Sequence, residues 1–298
     1  MNNLLKTGAC SIVVGENHYR GYFPVKKNKL LKITKINKLH NEFSNLDIIR
    51  TIDNYSDYYS IPDKDSISIN ASDNFYQKLK ELVKNEQMDI FYGDLKCLYI
   101  DYAGNKELLD TLCQLRDYGD YSFWKKYNVI LQFTKNMLDG LNYLHQKKIC
   151  HLDIKPENIM VNTSTYQFKI IDFGFSSMEP FDDYLSNIRG TPGYFPKYFE
   201  NEVVRGWLPK IEANDYNYDD INDVPMRKNR KLVYKIDSYC LGRVLYFLKY
   251  VYDDNLTFGC FYRKKKISIK LDNIIKSLIE NDVYQRLTIQ QCLDKYFI

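Results

Sequence analysis

His151-Leu-Asp-Ile-Lys-Pro-Glu-Asn158, followed shortly by Asp172-Phe-Gly174, is the stretch that decides how this chain is read. Asp153, Lys155, Asn158 and Asp172 set carboxylate, ammonium and carboxamide groups close together in sequence. Lys155 lies two residues from Asp153, so in an extended loop both side chains point the same way. Two strand-prone runs, Ile159–Val161 and Phe168–Ile171, sit between Asn158 and Asp172. Paired as a hairpin, they bring those two residues together. Carboxylate and amide oxygens are hard donors of the kind Mg²⁺ prefers. A carboxylate to orient a hydroxyl and a cation to offset charge complete the set required by transfer of a γ-phosphoryl group, a reaction dominated by positioning and charge neutralisation.

The two motifs together resemble the catalytic loop and Asp-Phe-Gly motif of eukaryotic serine/threonine protein kinases, and the resemblance extends over essentially the whole chain. It implies an α+β, bilobal protein-kinase-like fold with a small β-rich N-terminal lobe and a larger, mainly helical C-terminal lobe. Residues 1–298 are then one kinase domain, with the N-lobe at about 1–101, a hinge at about 101–105 and the C-lobe at about 106–298. The implied activity is ATP-dependent phosphoryl transfer to Ser or Thr hydroxyls of protein substrates. Asp153 orients the hydroxyl, Lys155 offsets charge, and Asn158 with Asp172 holds Mg²⁺.

Further positions follow from the same resemblance. Lys32 best matches the lysine that grips the ATP phosphates, with Lys29 and Lys35 as alternatives, and Glu42 matches its helix partner. Leu46 is then expected to stack toward Phe173 and His151. Leu98-Tyr-Ile-Asp-Tyr-Ala103 looks like the adenine-binding hinge. There Ile100 is the gatekeeper, Asp101 to Ala103 offer backbone contacts, Val13 covers the base and Met160 underlies it. Thr191, in Gly190-Thr-Pro-Gly-Tyr194, resembles the substrate-loop threonine and with Lys155 favours Ser/Thr acceptors. Asp237 resembles the aspartate that braces the catalytic-loop backbone, and Arg286 the late arginine that pairs with an acidic residue after the substrate loop.

The chain also departs from the family pattern. Lys6-Thr-Gly8-Ala-Cys-Ser11 keeps only the middle glycine, Gly8, of a loop whose glycines let backbone approach phosphates. Leu30 replaces a small residue above the adenine. Leu152 stands where an arginine usually meets an activation-segment phosphate, which implies activity without that phosphorylation. Glu200 lies two positions late for the Ala-Pro-Glu element. The rival reading is a pseudokinase, a nucleotide-binding or scaffolding module. A small-molecule phosphotransferase shares the His-x-Asp…Asn loop, but Lys155, Asp-Phe-Gly and Gly190-Thr-Pro favour a protein substrate.

The remaining sequence sets the context. Net charge is only +4, so no nucleic-acid partner is expected. Seven cysteines without a Cys-x-x-Cys pair, and four histidines, suit reduced thiols rather than disulfides or zinc. The apolar run Val244–Val251 is too short to span a bilayer, and Met1-Asn-Asn-Leu-Leu-Lys carries no secretory signal, so an intracellular, cytoplasmic location is the default. Abundant Tyr, Lys, Asn and Ile fit an A/T-rich genome or a large DNA virus, which would place the protein in a host cell or virion.

Local patterns predict strands at Ser11–Val14, Leu30–Ile33 and Cys97–Tyr102, with a loop over His18–Asn28. Helices are predicted over Asn37–Thr51, Phe75–Lys84 and Phe123–Gln146, then at about 236–250, 270–280 and 288–296. Residues 53–90 otherwise read as polar, and a loop is expected from the hairpin to about residue 200.

Overall fold

The computed structural model describes residues 5–7, 11–35, 45–69, 73–83, 95–118, 124, 129–186, 190–196, 225–254 and 261–297. Its N-terminal part is a five-stranded antiparallel sheet of β1 (Leu5–Thr7), β2 (Ser11–Val14), β3 (Lys29–Lys35), β4 (Pro62–Ile69) and β5 (Leu95–Asp101), in the order β1-β2-β3-β5-β4. Side chains alternate across a strand. Leu31 and Ile33 therefore join Ile12, Val14, Cys97 and Tyr99 in one apolar core, covered by Phe75, Tyr76 and Leu79. Those three lie on one face of α4 (Asn74–Val83), reached after the short helices α1 (Glu16–Tyr19), α2 (residues 45–49) and α3 (Tyr55–Tyr58). Lys32 stands in the alternate set, with Val13 opposite it on β2, and Leu30 opposite Ile100 on β5.

A second, larger core fills the helical part. After β6 (Lys106–Glu107) come α5 (Leu108–Tyr118) and α6 (Val129–Gln146), then β7 (Ile149–Cys150), β8 (Ile159–Asn162), β9 (Gln167–Ile170) and β10 (Ser177–Met178). Next are α7 (Asp182–Ser186), α8 (Pro225–Lys228), α9 (Tyr234–Asp254), α10 (Phe261–Leu278) and α11 (Ile289–Tyr296). On α6, Ile130, Phe133, Met137, Leu141 and Leu144 recur every three or four residues and are buried, the spacing of one helix face. Helix α9 packs so closely on α10 that a Cβ built on Gly242 would lie 2.6 Å from Ile279 Cγ2 and 2.9 Å from Leu278 Cβ. Strands early and helices late, around two cores, make the α+β bilobal architecture expected from the resemblance.

Several local expectations need correction. The presumed loop at His18–Asn28 begins inside α1. The polar stretch 53–90 contains α3 and the strand β4 as well as α4. β4 hides from pattern reading because it is the last strand in the sheet order, and an edge strand tolerates Pro62, Asp63, Lys64 and Asp65. The helix expected from Phe123 begins at Val129; Trp124 sits in a turn, 1% exposed, its ring against Phe133 at 6.4 Å. β10 and α7 interrupt the long loop expected before residue 200. Among the described residues no helix is long and apolar enough to cross a membrane.

Candidate active site

The β8–β9 hairpin does what the sequence pattern requires. Ile159 pairs with Ile170, and the Ile171 N–H donates to the Asn158 carbonyl at 2.9 Å. Asn158 and Asp172 thereby leave the two ends of one hairpin side by side. Asp172 and Leu152 both hold left-handed backbone, with φ of 62° and 66°. Non-glycine residues reach that region only when their surroundings impose it.

Those surroundings centre on Asp237, at the start of α9 and fully buried. Its carboxylate accepts the His151 N–H at 2.8 Å and the Leu152 N–H at 2.7 Å, and lies 2.9 Å from His145 Nε2. Burial pushes the Asp237 carboxyl up, but His145, His151 and the Leu152 N–H outweigh it and hold it below the usual carboxylate range. The His151 ring contacts the Ile171 carbonyl at 3.1 Å and packs against Phe173 at 4.9 Å. Loop and Asp-Phe-Gly motif are thus pinned to each other and to α9.

The polar cluster hangs on this frame. Thr191 Oγ1 donates to Asp153 Oδ1 at 2.6 Å and accepts from Lys155 Nζ at 2.7 Å. Lys155 Nζ is also 3.0 Å from Asp153 Oδ2. The Asn158 amide nitrogen donates to the Asp153 carbonyl and to its Oδ2, both at 2.9 Å. With its nitrogen so engaged, the amide oxygen of Asn158 is the atom left for a cation. From the sheet, Lys32 Nζ comes within 3.7 Å of Asp172 Oδ1, whose side chain is half exposed at 51%. Burial raises the Asp172 carboxyl. Lys32, then His151 and the Gly174 N–H, override that and hold it below the ordinary carboxylate value. Lys29 is occupied elsewhere, by Asp63 at 2.8 Å and Asp101 at 2.9 Å. The oxygens of Asp172 and Asn158 are the hard donor set a Mg²⁺ ion accepts, so the residues fit that ion.

In the segment from β5 to β6, the Asp101 carbonyl accepts the Ser60 hydroxyl at 2.7 Å and the Tyr102 N–H donates to the Asn28 carbonyl at 3.1 Å. A carbonyl has a second lone pair, so Asp101 can still accept a further bond. A Cβ on Gly104 would lie 2.5 Å from the Val161 carbonyl, so only glycine lets this segment pass so close to β8. Met160 is half-buried on β8 and Val13 half-buried on β2. Gly8, Glu42 and the side chain of Lys35 lie outside the described residues.

A family model described as "Protein kinase domain" matches residues 77–216. The chain is 26% identical over 212 residues to myosin light chain kinase 2 of Rattus norvegicus, covering 66% of this chain and 29% of that protein. It is 28% identical over 199 residues to death-associated protein kinase 2 of Mus musculus, covering 66% and 49%. Myosin light chain kinase 3 of Homo sapiens is 31% identical over 148 residues, 47% of this chain and 17% of that protein. Over these stretches the chain is similar to eukaryotic-type serine/threonine protein kinases. It spans less than half the length of these curated kinases.

Around this cluster several supporting residues lie beyond what sequence spacing signals. His145 joins Asp237 from the end of α6, with no motif to announce it. Leu46 is buried in the same core as Phe173, and the neighbouring Asn45 donates to the Ser176 carbonyl at 3.1 Å and hydroxyl at 3.0 Å. Tyr59 packs on Phe173 at 5.8 Å and donates to the Gly140 carbonyl at 2.5 Å. Arg243 of α9 donates to the Gly193 carbonyl at 2.9 Å, two residues past Thr191. Arg286 is 1% exposed, donating to the Glu280 carbonyl at 2.8 Å and the Lys235 carbonyl at 3.1 Å. Its expected acidic partner would fall in 197–224, outside the described residues.

Proposed function

We propose that this chain transfers the γ-phosphoryl group of ATP to serine or threonine hydroxyls of protein substrates, with residues 1–298 acting as one kinase domain hinged at about 101–105. The observation that carries the reading is the closed set of contacts joining Asp153, Lys155, Asn158 and Thr191, with Lys32 and Asp172 facing each other beside it. Asp153 orients the acceptor hydroxyl and takes its proton. Lys155, already beside Asp153 and Thr191, offsets charge on the moving phosphoryl group. Lys32 holds the ATP phosphates, and Glu42 is its partner from the following helix. Asp101 and Ala103 bind adenine through their backbone, between Val13 and Met160, with Gly8 in the loop over the phosphates. Asn158 and Asp172 are the residues to hold Mg²⁺, which would neutralise phosphate charge and fix the phosphates' orientation.

Transfer of labelled phosphate from Mg·ATP to a generic protein substrate tests this. Wild type should transfer, and Asp153→Asn should be slower by about 10²–10⁴-fold, the usual contribution of a positioned proton acceptor. The second reading is a nucleotide-binding scaffold that transfers nothing. It is favoured by Leu30, buried opposite Ile100 where the family resemblance implies a small residue above the base. Equal background transfer by wild type and Asp153→Asn, with ATP still bound by both, would select the scaffold.

A further inference from the structure

Helix α9 sends side chains to two separate loops of the active-site cluster. Asp237, at its start, holds the His151 and Leu152 N–H groups of the loop that bears Asp153. Arg243 lies further along the same helix, where its Nε–H donates to the Gly193 carbonyl at 2.9 Å. The six residues between them advance a helix by about 9 Å and turn it by about 240°. The two side chains therefore leave different faces, and one rigid element is tied to both loops.

The second tie falls where the chain most needs one. Gly193 has a φ of 84°, in the left-handed region, and glycine loses more conformational freedom on ordering than any other residue. The Tyr194 N–H closes a turn onto the Thr191 carbonyl at 3.1 Å, and the Thr191 hydroxyl meets both Asp153 and Lys155. A continuous path thus runs from α9 through Arg243, Gly193 and Thr191 to Asp153. Among the described residues no carboxylate pairs with the half-buried Arg243, whose guanidinium carbon lies 5.8 Å from the centre of the Tyr246 ring. Withdrawing a charge from water is costly unless it is hydrogen-bonded, and here the bond is made to the loop.

We propose that Arg243 is a positioning residue for the protein substrate: its hydrogen bond to Gly193 holds residues 190–194 in register with Asp153, so that the acceptor segment docks in one place. This rests on the phosphoryl-transfer reading above. Thr191 keeps its own bonds to Asp153 and Lys155. Loss of the Arg243 bond should therefore loosen the stretch beyond Thr191 and leave the reacting cluster in place. Acceptor binding weakens, while turnover at saturation and use of ATP are preserved.

Wild type, Arg243→Met and Arg243→Gln, each as the full chain, test this. Methionine keeps a long stem without a donor. The glutamine amide nitrogen stands as many bonds from Cα as the arginine Nε, so it can restore the hydrogen bond without the charge. With a generic protein acceptor varied at saturating Mg·ATP, Arg243→Met should raise the acceptor KM about three- to tenfold, the scale of one hydrogen bond, with kcat and the ATP KM changed by less than about twofold. Arg243→Gln should recover most of the loss. In parallel, the Tyr194 N–H should exchange with solvent faster in Arg243→Met and at the wild-type rate in Arg243→Gln, while the Leu152 N–H, held by Asp237, keeps its rate throughout. Should Arg243→Met fail to fold, Gly193→Ala disturbs the same contact from the loop side and should give the same rise in acceptor KM. An unchanged acceptor KM, a loss confined to kcat, a glutamine variant as impaired as the methionine one, or an unaltered Tyr194 N–H would each overturn the proposal. A wild type that transfers nothing would sink the phosphoryl-transfer reading, whereas the exchange rates would still decide whether Arg243 holds the loop.

Discussion

Asp172 and Asp153 are both carboxylates in one cluster, yet their settings differ. Asp153 is buried at 8% exposure and saturated by Thr191, Lys155 and Asn158, whereas Asp172 is half exposed and faces Lys32. Removing Asp172 should therefore weaken nucleotide binding, and altering Asp153 should chiefly weaken transfer. Calorimetry with ATP and Mg²⁺ should show Asp172→Ala losing affinity at least tenfold more than Asp153→Asn; equal losses would contradict the division of roles. These residues were legible in the sequence because the hairpin that joins them is local, and local pairing follows from strand patterns and a turn. Lys32 was legible only through family resemblance. Nothing in its own neighbourhood separates it from Lys29, and the distinction comes from Asp172, far away in sequence.

At the scale of elements, α9 matters through its first turn. Asp237 satisfies two loop N–H groups and meets His145, all in the interior. Asp237→Asn keeps the shape but replaces an anion with a neutral amide, and hydrogen bonds to charged groups carry about 1.5–3 kcal/mol each. Urea unfolding at pH 7 should show a loss of about 3 kcal/mol for this variant. The pH dependence has a definite sign. The folded carboxyl sits below its unfolded value, so its contribution is present above the unfolded value of about 3.9 and fades as pH falls through the folded one. Wild type and variant should accordingly converge in acid, and a gap that widens below pH 4 would refute the assignment. Elements such as β4, α3 and α7 stayed hidden in the sequence for a shared reason. They are short or at an edge, and their stability comes from neighbours rather than from periodicity of their own.

For the molecule as a whole, the sheet core and the helical core are distinct clusters, the first centred on Ile12, Leu31 and Cys97, the second on Phe133, Phe168 and Leu245. Damage to one should not spread in full to the other. A methyl group added at Gly242 meets α10 at distances below contact, and overpacking of this kind costs about 1–3 kcal/mol. Gly242→Ala should lower the unfolding free energy of the helical part by that amount. Hydrogen exchange at Leu31 and Ile33 should change far less, and equal acceleration in both lobes would show a single cooperative unit instead. The bilobal plan was visible from the order of strands and helices alone, whereas the contact of α9 with α10 depends on a packing surface that no periodicity encodes.

Leu152 lies fully buried in the larger core, its N–H held by Asp237 and its backbone turned left-handed. An ion placed there without a partner would be penalised by its apolar surroundings before it could sense anything. A guanidinium installed at this position would therefore be a burden on folding before it could be a receptor.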